Sequence, residues 1–415
     1  MSSEIPSYRK IIRQTRPERR TTRSSRFADY FDRSEADPLG LRRVSTQVAH
    51  DLFGTKDVQD AITASYVWMA DQIGHITLGL LPTLTVGGVW QILCRHFQLD
   101  RDWSNWGCVV VAIAIFCYWI YKERQDYIDT FNRAGRRFPF DSSDIRWNVY
   151  TALLYFGAGG LLALSALIDW RCLLGAIAIV LWPALRVAYW WLRRKLAFQQ
   201  AGLPYLYRLA NFSADISEDA IKAVSALVNL KNRPVSLASV LFTWDIINRP
   251  SPATKHLLIA GPLGAGKTSL AVGAGTEFAF ALGIGRYLTA AKLVEILSGP
   301  ADPSKPGPFN AEYSDGRLLW PLGACELLIV DDVDGGLPTD IIGRQSAFQP
   351  QEFQQALKIK RKDPPLKWLR DRRSVWVLGD TTAVDRWKNA IASLMDIAEA
   401  EVMVIELKIP KVIGA

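Results

Sequence analysis

The chain has 415 residues, 49% of them apolar, with 15 tryptophans and a net charge of +8. That length exceeds one ordinary domain and predicts two or three. The cysteines (Cys94, Cys108, Cys117, Cys172 and Cys325) lack Cys-x-x-Cys spacing, which excludes a disulfide framework and a zinc site and predicts buried, reduced thiols.

Residues 1–50 read as a basic arm. The first 43 carry 11 Lys/Arg against 6 Asp/Glu and few apolar side chains, too little apolar surface to fold alone. No apolar h-region follows promptly, so the arm is not a secretory signal. It is expected to anchor the cytoplasmic side of a membrane, with nucleic-acid binding as the alternative.

Residues 51–195 read as a membrane domain. A mixed helix from Asp57 to Ile73 is expected along the membrane surface. Four apolar stretches follow at about 76–94, 103–121, 148–168 and 172–192, each near the ~20 residues that span hydrocarbon. Trp103, Trp106, Trp119, Tyr121, Trp147, Trp170, Trp190 and Trp191 mark their ends, as an interfacial aromatic belt would. The first stretch is diluted by Pro82, Gly87 and Gly88. Keeping it places the basic arm, the 122–147 loop and Arg193-Arg194-Lys195 on one side of the membrane, as the positive-inside rule requires. Arg186 falls inside the fourth stretch, where it is either a functional charge or snorkels to the interface.

Residues 196–250 read as a helical coupling segment. Asp215-Ile216-Ser217-Glu218 has capping-box spacing ahead of Ile221, Val224, Leu227 and Val228. A second helix is expected from Ser236 to Ile247.

Residues 251–415 carry the chemistry. Gly261-Pro262-Leu263-Gly264-Ala265-Gly266-Lys267-Thr268 matches G-x-x-x-x-G-K-[ST], between the apolar run His256–Ala260 and the helical pattern opening at Ser269. Such a loop cradles phosphates with backbone amides and the positive end of its helix. Lys267 is expected on the β- and γ-phosphates of ATP and the Thr268 hydroxyl on Mg²⁺. Strands are expected at His256–Ala260, Arg286–Thr289, Cys325–Asp332, Ser374–Leu378 and Val402–Leu407, alternating with helices. Residues 298–316, rich in proline, read as a loop. The strand ending in Asp331-Asp332 assigns Asp331 to Mg²⁺ and Asp332 to the attacking water. Asp380 or Thr381, at the C-terminal end of the fourth strand, is expected near the γ-phosphate. The alternation gives a three-layer α/β P-loop domain with a parallel sheet, after an all-α membrane domain of four transmembrane helices.

The segments GPLGAGKTSLAVGAG, RYLTAAKLVEIL and ELLIVDDVD resemble the AAA+ branch of the additional-strand P-loop ATPases, most of all its helicase loaders and insertion-sequence transposition helpers. The resemblance covers roughly residues 250–410. It implies sensor-1 duty for Asp380 or Thr381, a strand inserted between the phosphate-loop and Walker B strands, and assembly into homo-oligomers. The chain departs from the family in three places. Asp331-Asp332 replaces the usual Asp-Glu, no helical lid is expected after the last strand, and Met395-Asp396-Ile397 stands where an arginine finger is usual. Arg386, Arg370, Arg372 and Arg373 are the substitutes.

The expected function is a membrane-anchored ATPase with its ATPase domain and both termini in the cytoplasm, as a multi-pass protein of a bacterial inner membrane. It would couple nucleotide state to oligomer assembly, or to a protein partner or DNA at the lipid surface. The alternative is an ATP-gated switch or pore with slow hydrolysis. An ATP-binding-cassette half-transporter is disfavoured, since Leu297-Ser298-Gly299-Pro300 lies too near the phosphate loop and runs into prolines. A GTPase would need an Asn-Lys-x-Asp motif, which the sequence lacks.

Overall fold

Charge-poor apolar runs become long helices in the first half of the chain. A computed structural model describes residues 64–132, 137–138, 142–181, 185–228, 254–298, 312–314, 317–320, 322–335, 349–358, 364–379 and 383–408. These fall into two units, one ending at Lys195 and the other beginning at Leu196.

The first unit contains α1 (Ala64–His96), α2 (Arg101–Asn132), α3 (Ser142–Leu167), α4 (Arg171–Ile179) and most of α5 (Leu185–Gln200). Among the described residues, three helices are long and apolar enough to cross a membrane, over Ala70–His96, Arg101–Asp126 and Val149–Leu167. The fourth apolar stretch is divided between α4 and α5, with a π-turn at Val180–Leu181 and Pro183 outside the described residues. The Arg186 side chain and the helix expected at 236–247 also lie outside them.

The expected surface helix falls within the described residues only from Ala64. From Ala64 on, it continues without a break into the first span. Pro82 does not end α1, although proline supplies no N–H to the carbonyl four residues earlier. That carbonyl, of Leu78, accepts instead from the Trp119 indole at 3.2 Å. Trp119 is stacked on Phe156 of α3 at 4.6 Å. Trp103, Trp106 and Trp170 near helix ends are exposed, and so is Tyr121 within α2. Helices α1 and α3 meet backbone to backbone. A Cβ on Gly79 would lie 2.2 Å from the Phe156 carbonyl oxygen, and one on Gly159 would lie 2.1 Å from that of Ile76. All five cysteines are free, but only Cys94, Cys108 and Cys325 are buried; Cys117 is exposed.

The second unit holds α6 (Glu218–Leu227), β1 (His256–Ala260), α7 (Lys267–Phe280), β2 (Gly285–Thr289), α8 (Ala290–Ser298), β3 (Glu312–Ser314), β4 (Arg317–Leu319), β5 (Leu327–Asp331), α9 (Pro350–Lys358), β6 (Arg373–Val377), α10 (Val384–Met395) and β7 (Val402–Glu406). Five strands form one parallel sheet in the order β2-β5-β6-β1-β7. Strands β1, β5 and β6 are buried along their whole length, which is why they read as continuous apolar runs and not as alternating ones. Leu258, Leu328, Val330 and Trp376 contribute to one core that also takes in Leu293, Phe353 and Trp387 from the helices. β6 lies between β1 and β5, so the loop after β1 and the carboxylates after β5 reach the same sheet end as Gly379.

Two local expectations are corrected. Ser217, not Asp215, caps α6, accepting from the Ala220 amide at 3.2 Å. Residues 312–314 are not loop. They pair antiparallel with 317–319, because the prolines stop at Pro308 and Asp315-Gly316 is a hairpin signal.

Residues 196–212 belong to the second unit as a strap along the sheet edge. The Tyr287 amide donates to the Ala201 carbonyl at 2.7 Å, and the Trp320 amide to that of Gln200 at 2.8 Å. Arg208 makes a two-pronged ion pair with the buried Glu277 of α7, at 2.7 and 2.9 Å.

Candidate functional site

Parallel α/β sheets present ligands outside the carboxyl ends of their strands. A cavity of about 500 Å³ opens there, lined by Leu263, Gly264, Gly266, Lys267, Thr268 and Ser269 from the loop and α7, by Asp331 and Asp332 at the end of β5, and by Val377 to Gly379 at the end of β6. Residues separated by more than a hundred positions meet because β6 inserts between β1 and β5.

Leaving β1, the loop turns at Gly261, where a Cβ would lie 2.7 Å from the Leu407 carbonyl oxygen. Only glycine allows that approach. At the helix end, Gly266 has φ +86° and serves as the N-cap without a side chain, leaving the first amides of α7 facing the cavity. Pro262 accepts from the Ala265 amide at 3.2 Å. Ala265 is buried, whereas Leu263 is 91% exposed at the loop tip.

The Lys267 ammonium donates to the carbonyls of Gly261, of Pro262 at 2.9 Å and of Gly379 at 3.1 Å. A buried cation thus bridges the loop and the end of β6, held by dipoles that a phosphate oxygen can replace. One residue on, the Thr268 hydroxyl faces Asp331 Oδ1 at 3.4 Å. Asp331 is buried. Its Oδ1 also accepts from the Asp332 amide at 2.9 Å, and its Oδ2 accepts from the Tyr287 hydroxyl at 2.6 Å.

Asp332 is exposed and sits at φ +55°, a left-handed conformation that turns the chain sharply after the strand. Partial desolvation, then the nearby charges of Asp334 and Asp331, hold its carboxyl above the usual carboxylate range. Asp334 accepts from the Gly379 amide and so ties this turn to β6.

Among the sequence-predicted residues, Lys267, Thr268, Asp331 and Asp332 are brought together. Asp380 and Thr381 lie outside the described residues, directly after Gly379. Of the four arginine-finger substitutes, Arg372 donates to the Cys325 carbonyl at 2.8 Å and stacks on Trp368, while Arg373 is buried over Phe278. Both are committed inside the domain. Arg370 and Arg386 remain at the surface.

Three contributors are not singled out by the sequence: Tyr287 on Asp331, Asp334 on Gly379, and Tyr205, whose hydroxyl lies 3.2 Å from that of Ser269. For Asp334 the signal was present in Asp332-Val333-Asp334-Gly335. The tyrosines carry no local signal, since their partners are 44 and 64 positions away. No protein-family model matches the chain, and no curated protein matches it.

Proposed function

We propose that the chain is a membrane-anchored ATPase of the AAA+ type that binds Mg-ATP at the cavity after β1. The observation that carries this reading is the convergence of Lys267, Thr268, Asp331 and Asp332 on one cavity at the carboxyl end of a parallel sheet. The loop amides and Lys267 would bind the phosphates. Thr268 and Asp331 offer hard oxygen donors side by side, a donor set that suits Mg²⁺. When bound, the ion would neutralise charge on the phosphates. Asp332, a carboxylate of raised basicity at the open side, would orient and deprotonate the attacking water.

In this reading α4 and α5 together make a fourth span, and the basic arm and the nucleotide-binding unit share the cytoplasmic side of a bacterial inner membrane. Nucleotide state would govern assembly of homo-oligomers, or engagement of a protein or DNA partner at the membrane. The inserted strand β6 supports the likeness to the helicase-loader and transposition-helper branch.

The second reading, an ATP-gated switch or pore with slow turnover, draws on Arg372 and Arg373. With both committed to contacts inside the domain, only Arg370 and Arg386 of the four substitutes are left to complete a neighbour's site. Phosphate release by the full-length chain, beside Lys267→Ala and Asp332→Asn, tests the ATPase reading. Turnover by the wild type and its loss in both variants is expected, whereas equal slow release by all three would leave only the switch.

A further inference from the structure

Tyr287 and Asp331 meet across the β2–β5 pairing. Tyr287 lies opposite Ile329, and Asp331 stands two residues further along the same face of the sheet. A tyrosine is long enough to cross that diagonal, and its hydroxyl reaches Asp331 Oδ2 at 2.6 Å. The other oxygen, Oδ1, takes the Asp332 amide and faces Thr268. The two oxygens of one buried carboxylate are therefore divided between a fixed protein donor and the cavity. The tyrosine is itself anchored, since its amide donates to the Ala201 carbonyl of the strap.

We infer that Tyr287 is a positioning residue that holds Asp331 with Oδ1 alone turned to the metal, and thereby sets the Mg²⁺ concentration at which nucleotide binds. This rests on the Mg-ATP reading of the site. A carboxylate free to rotate would present either oxygen, or both, to the ion. The phenol bond removes that freedom before the ion arrives. Outer partners of this kind typically change metal affinity by about 10- to 100-fold. A tyrosine that merely fills space between β2 and the strap would leave metal dependence unchanged once its hydroxyl was removed.

The test uses the full-length chain in detergent and a fluorescent ADP analogue. Binding is followed in EDTA and across a Mg²⁺ titration, for the wild type, Tyr287→Phe, Asp331→Asn and the double variant. Phe keeps the ring, and binding in EDTA reports that the phosphate loop is intact. The expected result is unchanged affinity in EDTA, a Mg²⁺ midpoint raised about tenfold in Tyr287→Phe, and no further shift when Tyr287→Phe is added to Asp331→Asn. A midpoint that does not move, or one that moves equally in the Asp331→Asn background, would overturn the inference while leaving the nucleotide reading intact. A wild-type chain that binds no nucleotide in either condition would overturn both.

Discussion

The Asp334 carboxylate accepts the Gly379 amide, while the Gly379 carbonyl accepts the Lys267 ammonium. The turn after β5, the end of β6 and Lys267 at the start of α7 thus form one hydrogen-bonded series. It places Asp332, on the same turn, at the edge of the cavity.

Asp332→Asn is expected to lower ATP turnover by about 10²- to 10⁴-fold, the range for losing a positioned base, with ATP binding retained. The pH dependence follows from its raised pKa. The base works when deprotonated, so turnover falls as pH drops through the folded value, which lies above the ordinary carboxylate range. Asp334→Asn keeps an acceptor for Gly379 but removes one of the charges that raise it. A pH–rate profile should show the acid limb of that variant displaced to lower pH.

Arg208→Ala is expected to destabilise the second unit by about 3–5 kcal/mol, because it removes the ion-pair partner of the buried Glu277 carboxylate. Arg208→Leu with Glu277→Leu should recover most of that loss. Limited proteolysis of the strap and thermal unfolding of the full chain report both effects. Equal loss in the single and double variants would mean that packing, and not the stranded charge, dominates.

The sheet was legible where burial was complete. Leu327 to Val330 and Val375 to Leu378 are charge-free because parallel central strands are covered on both faces. The turn after β1 was legible because its glycines answer to backbone geometry. The hairpin at 312–319 was hidden by the proline-rich run beside it, and Pro82 in α1 was offset by an indole that no local pattern announces. Tyr287 escaped notice for a related reason. Its role exists only through strand register, and no window of sequence holds both it and Asp331.

Acid should weaken the second unit through His256. The side chain is buried at the start of β1, with Nδ1 2.9 Å from the Ser374 hydroxyl, and burial lowers its pKa below 6.5. The unfolded chain therefore takes a proton that the folded one refuses. Stability present above that pH is lost as pH falls from 6.5 toward the folded value, by at most about 1.4 kcal/mol per pH unit. His256→Gln should flatten this dependence. Thermal midpoints at pH 7.5 and 5.5, both assay settings of roughly one pH unit either side of the ordinary histidine value, provide the comparison.

Close helix packing in the membrane unit predicts a sharp contrast between glycines. Gly79→Ala puts a methyl against the Phe156 backbone, whereas Gly160→Ala meets nothing within 4 Å. The first should cost about 1–3 kcal/mol and the second should be neutral, as read by detergent-denaturation midpoints.

Saturable ATP binding to the purified full-length chain, measured by equilibrium dialysis beside Lys267→Ala, tests the central claim most directly. The account predicts binding by the wild type, displaced by ADP, and weakened in Lys267→Ala by roughly 2–3 kcal/mol, the scale of a charge-assisted contact. No saturable binding by the wild type, or equal binding by Lys267→Ala, would contradict it.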